Sequence, residues 1–361
     1  MKHLLLTLLT ITTMMTNTEA QNDKKESPLL IEAAKFGAFQ PIGVGIAKTG
    51  RTFITFPRHQ PYQYGVVELV NGVRKPYPDE EWNKFDSIHP QNHFINAQAA
   101  VTDDKNRLWI LDPGNPGDGP VIAEGVKLLQ INLSNNKVGR IYRFEDFPKE
   151  QGAMNDVRID TRRNLAYLSN PSISAIVVLN LATGKSRIVL RDDKSTKADP
   201  DFKLHLDGKD VVDNKGKAFS SNVNGIALTH DFDWFYFRAI NQTKLYRIKA
   251  EVLADSTLSA SQVSAAVETV GETGISHGMI ADDKGNVYLS DSPNKSIRYV
   301  TPGGEFKTLV TDKRLIWPDT FAIGSDGYLY VTCSQINRTT KYNDGEDKVE
   351  YPFRLFKVKL P

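Results

Sequence analysis

The chain has 361 residues, 40% of them hydrophobic and 24% charged, with 45 Lys and Arg against 43 Asp and Glu. This is the balance of a folded globular protein, and a net charge of +2 provides no field to gather phosphates, so nucleic acid is not an expected partner. One cysteine, Cys333, excludes an internal disulfide and a Cys-rich zinc site. No apolar run reaches the ~18–20 residues of a membrane span, so no transmembrane segment is expected.

The first 20 residues, MKHLLLTLLTITTMMTNTEA, have the layout of a secretory signal peptide. Lys2 gives a positive start, an apolar stretch follows, and Thr18 and Ala20 put small residues at the −3 and −1 positions of a cleavage site. Residues 21–28 then read as a flexible polar lead. Export of a chain with no disulfide fits a secreted or periplasmic protein of a bacterium.

From residue 44 a pattern recurs. VGIAKTGRTFITF starts at Val44, QAAVTDDKNRLWILD at Gln98 and NDVRIDTRRNLAYLS at Asn155. NGIALTHDFDWFYF starts at Asn224, HGMIADDKGNVYLSD at His277 and DTFAIGSDGYLYVTC at Asp319. Each copy is a short apolar stretch, a turn of Asp, Asn or Gly, and a second stretch rich in aromatic and β-branched residues: two strands joined by a tight turn. Further strands follow most pairs, as in KLLQINL, AIVVLNL and KLYRI. Six four-stranded units with few helices predict an all-β chain, a single six-bladed β-propeller over residues 29–361. The edge of the last blade needs a partner, and residues 29–36 (LLIEAAKF) can close it as its outer strand. EVLADSTLSASQVSAAVETV reads as a place for a helix, at a blade edge. DDKSTKADPDFKLHLDGKD at 192–210 lengthens the gap between the third and fourth copies; it reads as a solvated loop, with a lid over the site as the alternative.

In a propeller the first strand of each blade lines the central channel. Val44, Gln98, Asn155, Asn224, His277 and Asp319 should therefore ring one mouth, with the loops after the second strands, such as Pro57-Arg58-His59 and Asp112-Pro113-Gly114, as an outer rim. Convergent polar groups in a concavity are the default ligand site, although any one of them could simply cap its own strand. Gln98, Asn155, Asn224, His277 and Asp319 are the candidate ligand-binding residues. Trp317 would wall the mouth, and Arg58 in the rim is placed to meet a ligand carboxylate. His277 is the candidate acid–base group, its ordinary pKa of about 6.5 suiting proton transfer, with Asp319 one blade away to orient it. The aromatics of the second strands are read as packing between blades.

The segments KPYPDEEWN, FINAQAAVTDDKNRLWILDPG, MNDVRID, AIVVLNLATGKSRIVL, NGIALTHDFDWFYF and WPDTFAIGSDGYLYV run in order from about residue 39 to the C-terminus. Together they resemble the yellow / major royal jelly protein family. The resemblance implies a secreted six-bladed propeller, and the lone cysteine points to a bacterial member, since insect members usually carry disulfides. It also implies a small-molecule ligand, because some members are associated with dopachrome conversion and some salivary members bind biogenic amines in the channel. A more distant similarity is to the gluconolactonase-like propellers, which hold a divalent metal with a Glu, two Asn and an Asp. Asn155 and Asn224 match the two Asn; Val44 and His277 stand at the other two positions.

Three functions follow as expectations. The first is a propeller that binds a small aromatic or cyclic organic molecule at the channel mouth, with tautomerisation through His277 and Asp319 as its chemistry. The second is a lactone hydrolase using a divalent cation such as calcium, held by Asn155, Asn224 and Asp319. The third is a non-catalytic binding or interaction propeller. No cofactor is demanded by any motif, and no hydrolase elbow, phosphate loop or HExxH sequence occurs.

Overall fold

The turn inside several of the repeats carries its own lock. A computed structural model describes residues 25–117 and 119–361. In blade 2, Asp103 Oδ1 accepts the backbone N–H groups of Lys105 and Arg107 at 3.0 Å, and Asn106 takes the left-handed conformation at φ 59°. Asp103 Oδ2 accepts Trp109 Nε1 at 2.8 Å from the second strand. Blade 5 repeats this with Asp282, which accepts Lys284 N, Asn286 N and the Tyr288 hydroxyl at 2.9 Å. A short acidic side chain thus closes the turn and tethers the aromatic that packs between blades.

Six four-stranded antiparallel sheets result. Their innermost strands are Val44–Ile46, Ala99–Thr102, Val157–Asp160, Val223–Leu228, Met279–Ala281 and Pro318–Ile323. Each strand pairs with the next in sequence, except in blade 6. There Ile31–Gly37 pairs antiparallel with Phe353–Lys359, from Ile31 opposite Lys357 to Gly37 opposite Phe353 with two register shifts between, so the N-terminal strand closes the last blade. The fold is the expected six-bladed β-propeller. The described part of the lead is tied down: Asp312 Oδ2 accepts Ser27 N at 2.6 Å, and Arg314 Nη2 donates to Ser27 O at 3.2 Å. The leader expected at residues 1–20 lies outside the described residues, as do 21–24. Among the described residues no helix is long and apolar enough to cross a membrane.

Two devices hold neighbouring blades at the channel. Hydroxyls on second strands donate to the ring-residue carbonyl of the next blade: Thr55 to Gln98 O at 2.8 Å, Ser169 to Asn224 O at 2.8 Å and Thr332 to Ile42 O at 2.5 Å. Glycine follows the ring residue where backbones meet. A Cβ on Gly278 would lie 1.9 Å from Asp319 O, and one on Gly225 2.6 Å from His277 O, so only glycine lets these blades approach. The NG and HG pairs of the repeat are therefore packing signals.

Helical turns, Ala250–Ala254 and Ala260–Ala265, sit between the third and fourth strands of blade 4, the second opened by a Ser259/Gln262 capping box. The segment at 192–210 departs from the solvated loop read in the sequence. It forms a small hairpin, His205–Leu206 against Lys209–Asp210. Leu204, Leu206 and Val211 are buried in a cluster with Ile240, Trp317 and Tyr342. Asp207 fastens it through Arg338 at 2.9 Å and Lys295 at 3.4 Å. The three apolar side chains give this charged stretch a face that must be covered, and the chain after blade 6's second strand supplies the cover.

Candidate functional site

Gln98, Asn155, Asn224, His277 and Asp319 do converge, and all five line one recess of about 10 Å³ at one channel mouth. Blade 1 contributes Ile42 instead of Val44. Ile42 N donates to Thr55 O at 2.9 Å, just as Gln98 N donates to Leu111 O and Asn155 N to Ser169 O, so Ile42 is the register equivalent. Val44 lies further down the channel and faces the opposite mouth.

The amides form a chain around the ring. Gln98 Nε2 donates to Asn155 Oδ1 at 3.3 Å, and Asn155 Nδ2 to Asn224 Oδ1 at 3.1 Å. His277 is different. Its backbone N–H is satisfied by Ser290 Oγ at 2.8 Å, but both ring nitrogens are buried without a partner. The ring stacks on Trp317 at 4.1 Å between centroids, 15° from parallel. Trp317 is 3% exposed and sits at φ 52°, a conformation that costs a bulky residue ~1–3 kcal/mol and persists only where the surroundings impose it. Phe219, from the connection that carries the 192–210 hairpin segment (the cap), meets the Trp317 ring edge-on at 5.2 Å. The cap is thereby coupled to the ring.

Burial, with the nearby Arg238 guanidinium adding to it, pushes His277 down from 6.5 to about 3. It is a neutral imidazole at ordinary pH, offering one donor and one acceptor. The consequence for stability has a definite sign. Below pH 6.5 the unfolded chain takes up a proton that the folded His277 refuses, so this residue's contribution is lost as pH falls towards 3. His277→Asn should therefore remove about 2–3 kcal/mol of the stability lost between pH 6.5 and 4.5, at ~1.36 kcal/mol per unit. Urea unfolding of both proteins at the two pH values checks this.

Asp319 keeps part of its surface open to the recess. Burial of its carboxyl pushes it up from 3.8 to about 6; the hydrogen bond from Ser334 Oγ at 2.7 Å opposes the rise and the charge of Asp156 adds to it. Arg58 is not a recess residue. Its guanidinium lies 3.9 Å from the Phe85 ring centroid and 4.4 Å from that of Tyr62, and Nε donates to Ile95 O at 3.0 Å. Asp112, read as part of the rim, is fully buried and braces the loop below, accepting Ile95 N at 2.7 Å and Lys127 Nζ at 3.3 Å.

The functional groups that sequence reasoning missed are Asp156 and Arg158. Both are at least nine-tenths buried, and Arg158 Nη1 donates to Asp156 Oδ1 at 2.7 Å. Arg158 Nη2 reaches across the channel from blade 3 to Met279 O in blade 5, at 2.6 Å. Asp156 lines the polar recess and Arg158 the cavity at the other end, so the pair plugs the channel between them. The spacing in NDVRID was a usable signal. Residues 156 and 158 stand two apart at the start of an innermost strand, where buried charge is tolerated only in pairs.

The fold and site define a six-bladed propeller with a plugged channel and a polar ring at one mouth. The chain belongs to the major royal jelly protein family, whose sequence model matches residues 96–360. The yellow-related salivary protein LJM17 of Lutzomyia longipalpis is 26% identical over 240 residues, 59% of this chain and 56% of that protein. Major royal jelly protein 7 of Apis mellifera is 22% identical over 229 residues, 59% of this chain and 49% of that protein. The chain thus spans about half the length of the curated relatives it matches. Among solved structures, a gluconolactonase from Xanthomonas campestris superposes with a TM-score of 0.54 at 10% identity, covering 92% of this chain and 89% of that one. A luciferin-regenerating enzyme gives 0.55 at 12%, covering 92% and 96%. At these identities the likeness is one of fold alone.

The donors of the ring do not suit a divalent cation. Ile42 stands at the ring position of blade 1, and the Asn155 and Asn224 oxygens already accept amide hydrogens. Asp156 is committed to Arg158, and Asp319 accepts from Ser334 Oγ. Calcium asks for six to eight oxygens, and the recess brings together only two carboxyls, Asp156 and Asp319.

Proposed function

We propose that this chain is an exported binding propeller whose ring takes the polar head of a small aromatic or cyclic organic molecule. The observation that carries this is His277: a fixed, neutral imidazole with two unpartnered nitrogens at a recess it shares with the amides Gln98, Asn155 and Asn224 and the carboxyls Asp156 and Asp319. Each unmet buried group costs ~1–3 kcal/mol, which a ligand with a complementary donor and acceptor recovers. The recess is small, about 10 Å³, so the ring receives a head group end-on and not a whole molecule. Catechols, indole amines and lactones are suitable probes. A ligand at a hundred times its Kd stabilises the folded state by about 2.7 kcal/mol, which thermal unfolding reads directly. The binder should raise the midpoint of the wild type and not that of His277→Ala. An equal rise in both proteins overturns the reading.

If the bound molecule is also isomerised, the proton carrier in this reading is Asp319. A base with a pKa of about 3 is weak, whereas a carboxyl at about 6 exchanges protons near neutrality. The raised pKa has its own signature. Because the folded-state value lies above the ordinary one, Asp319 favours folding at low pH and loses that advantage as pH rises through about 6. Asp319→Asn never ionises and can still accept from Ser334. It should exceed the wild type by about 1–3 kcal/mol at pH 7.5, with the difference closing near pH 4. A difference that does not change between pH 7.5 and pH 4 in paired urea titrations would remove Asp319 from the acid–base role.

A further inference from the structure

The channel has a second end. On the far side of the Asp156–Arg158 plug lies a cavity of about 540 Å³, open between the turns that join first and second strands. That volume falls in the ~300–1,000 Å³ range of small-molecule sites. Much of the wall is apolar, with Ile46, Val101, Leu228, Ile280 and Phe321 from five of the inner strands, while Thr102, Thr229 and His230 add polar groups. The inner end is Arg158. Its Nη1 and Nη2 are engaged by Asp156, Val157 O and Met279 O, but Nε is buried with no partner. Acidic side chains, among them Asp104 and Asp283, stand with Lys48 at the outer edge. Arg158 lines this cavity and carries a buried, unsatisfied N–H, a costly arrangement unless a local opening from the cavity lets an acceptor reach it.

We propose that this opposite mouth is a second ligand site, for an elongated apolar molecule whose inner end is a carboxylate or amide oxygen accepting from Arg158 Nε. The apolar body is held by the inner strands and the oxygen end by the guanidinium. The site is separate from the polar ring, because the ion pair stands between them, and it does not depend on what the ring binds.

The test is isothermal titration of the whole protein with sodium octanoate, octanamide and octyltrimethylammonium. The last has the same tail, a cationic head and no acceptor. Octanoate or octanamide should bind and octyltrimethylammonium should not; whichever of the two binds tighter tells whether the natural head is charged. Arg158→Lys keeps the positive charge but removes Nε and should weaken binding at least tenfold. Leu228→Trp fills the well without touching the plug and should abolish binding with the thermal midpoint little changed. If Arg158→Lys does not fold, Leu228→Trp decides alone. No binding by either acceptor probe, equal binding of the cationic probe, or undiminished binding to Leu228→Trp overturns the proposal.

Discussion

Asp156→Ala is expected to destabilise the protein by about 3–5 kcal/mol at neutral pH, the usual cost of leaving one member of a buried ion pair alone. Arg158 is 9% exposed, and its other hydrogen bonds go to backbone carbonyls, which cannot neutralise it. Burial pushes the Asp156 carboxyl above its ordinary range, and Arg158 pulls it back, so the pair is only just self-consistent. The double variant Asp156→Leu/Arg158→Met should for that reason recover most of the loss, since apolar groups of similar volume often replace a buried pair at little cost. Urea unfolding of the two variants and the wild type measures both effects. A single-variant loss below about 1 kcal/mol would mean that the plug contributes nothing.

Trp317→Ala should cost a comparable amount, about 3–5 kcal/mol, as large aromatic truncations in cores do. The ring joins three parts of the molecule: His277 in blade 5, Phe219 at the end of the cap, and the start of blade 6's inner strand at Pro318. Its left-handed backbone adds a second, sharper expectation. Glycine adopts φ 52° freely and alanine does not, so Trp317→Gly should be no less stable than Trp317→Ala, against the usual ~0.5–1 kcal/mol penalty for glycine. A Gly variant clearly weaker than the Ala variant, by chemical unfolding, would show that the strain is relieved in solution. Both variants should also loosen the cap, which faster proteolysis within 192–210 would report.

Much of the fold was legible because its determinants are local. The Asp that accepts two backbone N–H groups, the Asn or Gly at positive φ and the aromatic six residues on lie within one repeat, as at Asp103, Asn106 and Trp109. Each copy announces itself without reference to the others. The ring was legible for a related reason: the first residue of each copy occupies one register position, so similar motifs bring Gln98, Asn155, Asn224, His277 and Asp319 to one mouth. The copy that failed was the first. Ile42 and Val44 are both apolar and two residues apart, so alternation could not tell which one meets Thr55 O. Charged composition hid the cap, because 192–210 is covered by residues more than a hundred positions away, Tyr342 among them.

The sequence by itself determined the number of blades, the strand that closes them, the family and the polar character of one mouth. These rest on periodicity, turn chemistry and order along the chain, which act over a few residues and repeat. Tertiary structure alone decided the state of the groups at the site. It made His277 neutral by enclosing it against Trp317, moved Asp319 towards neutrality, and fastened Arg58 to Phe85, outside the recess. It divided the channel with a bond from Arg158 to Met279, partners 121 residues apart. Desolvation and cross-channel pairing depend on what every other blade places nearby, and closing the propeller is what brings those neighbours together.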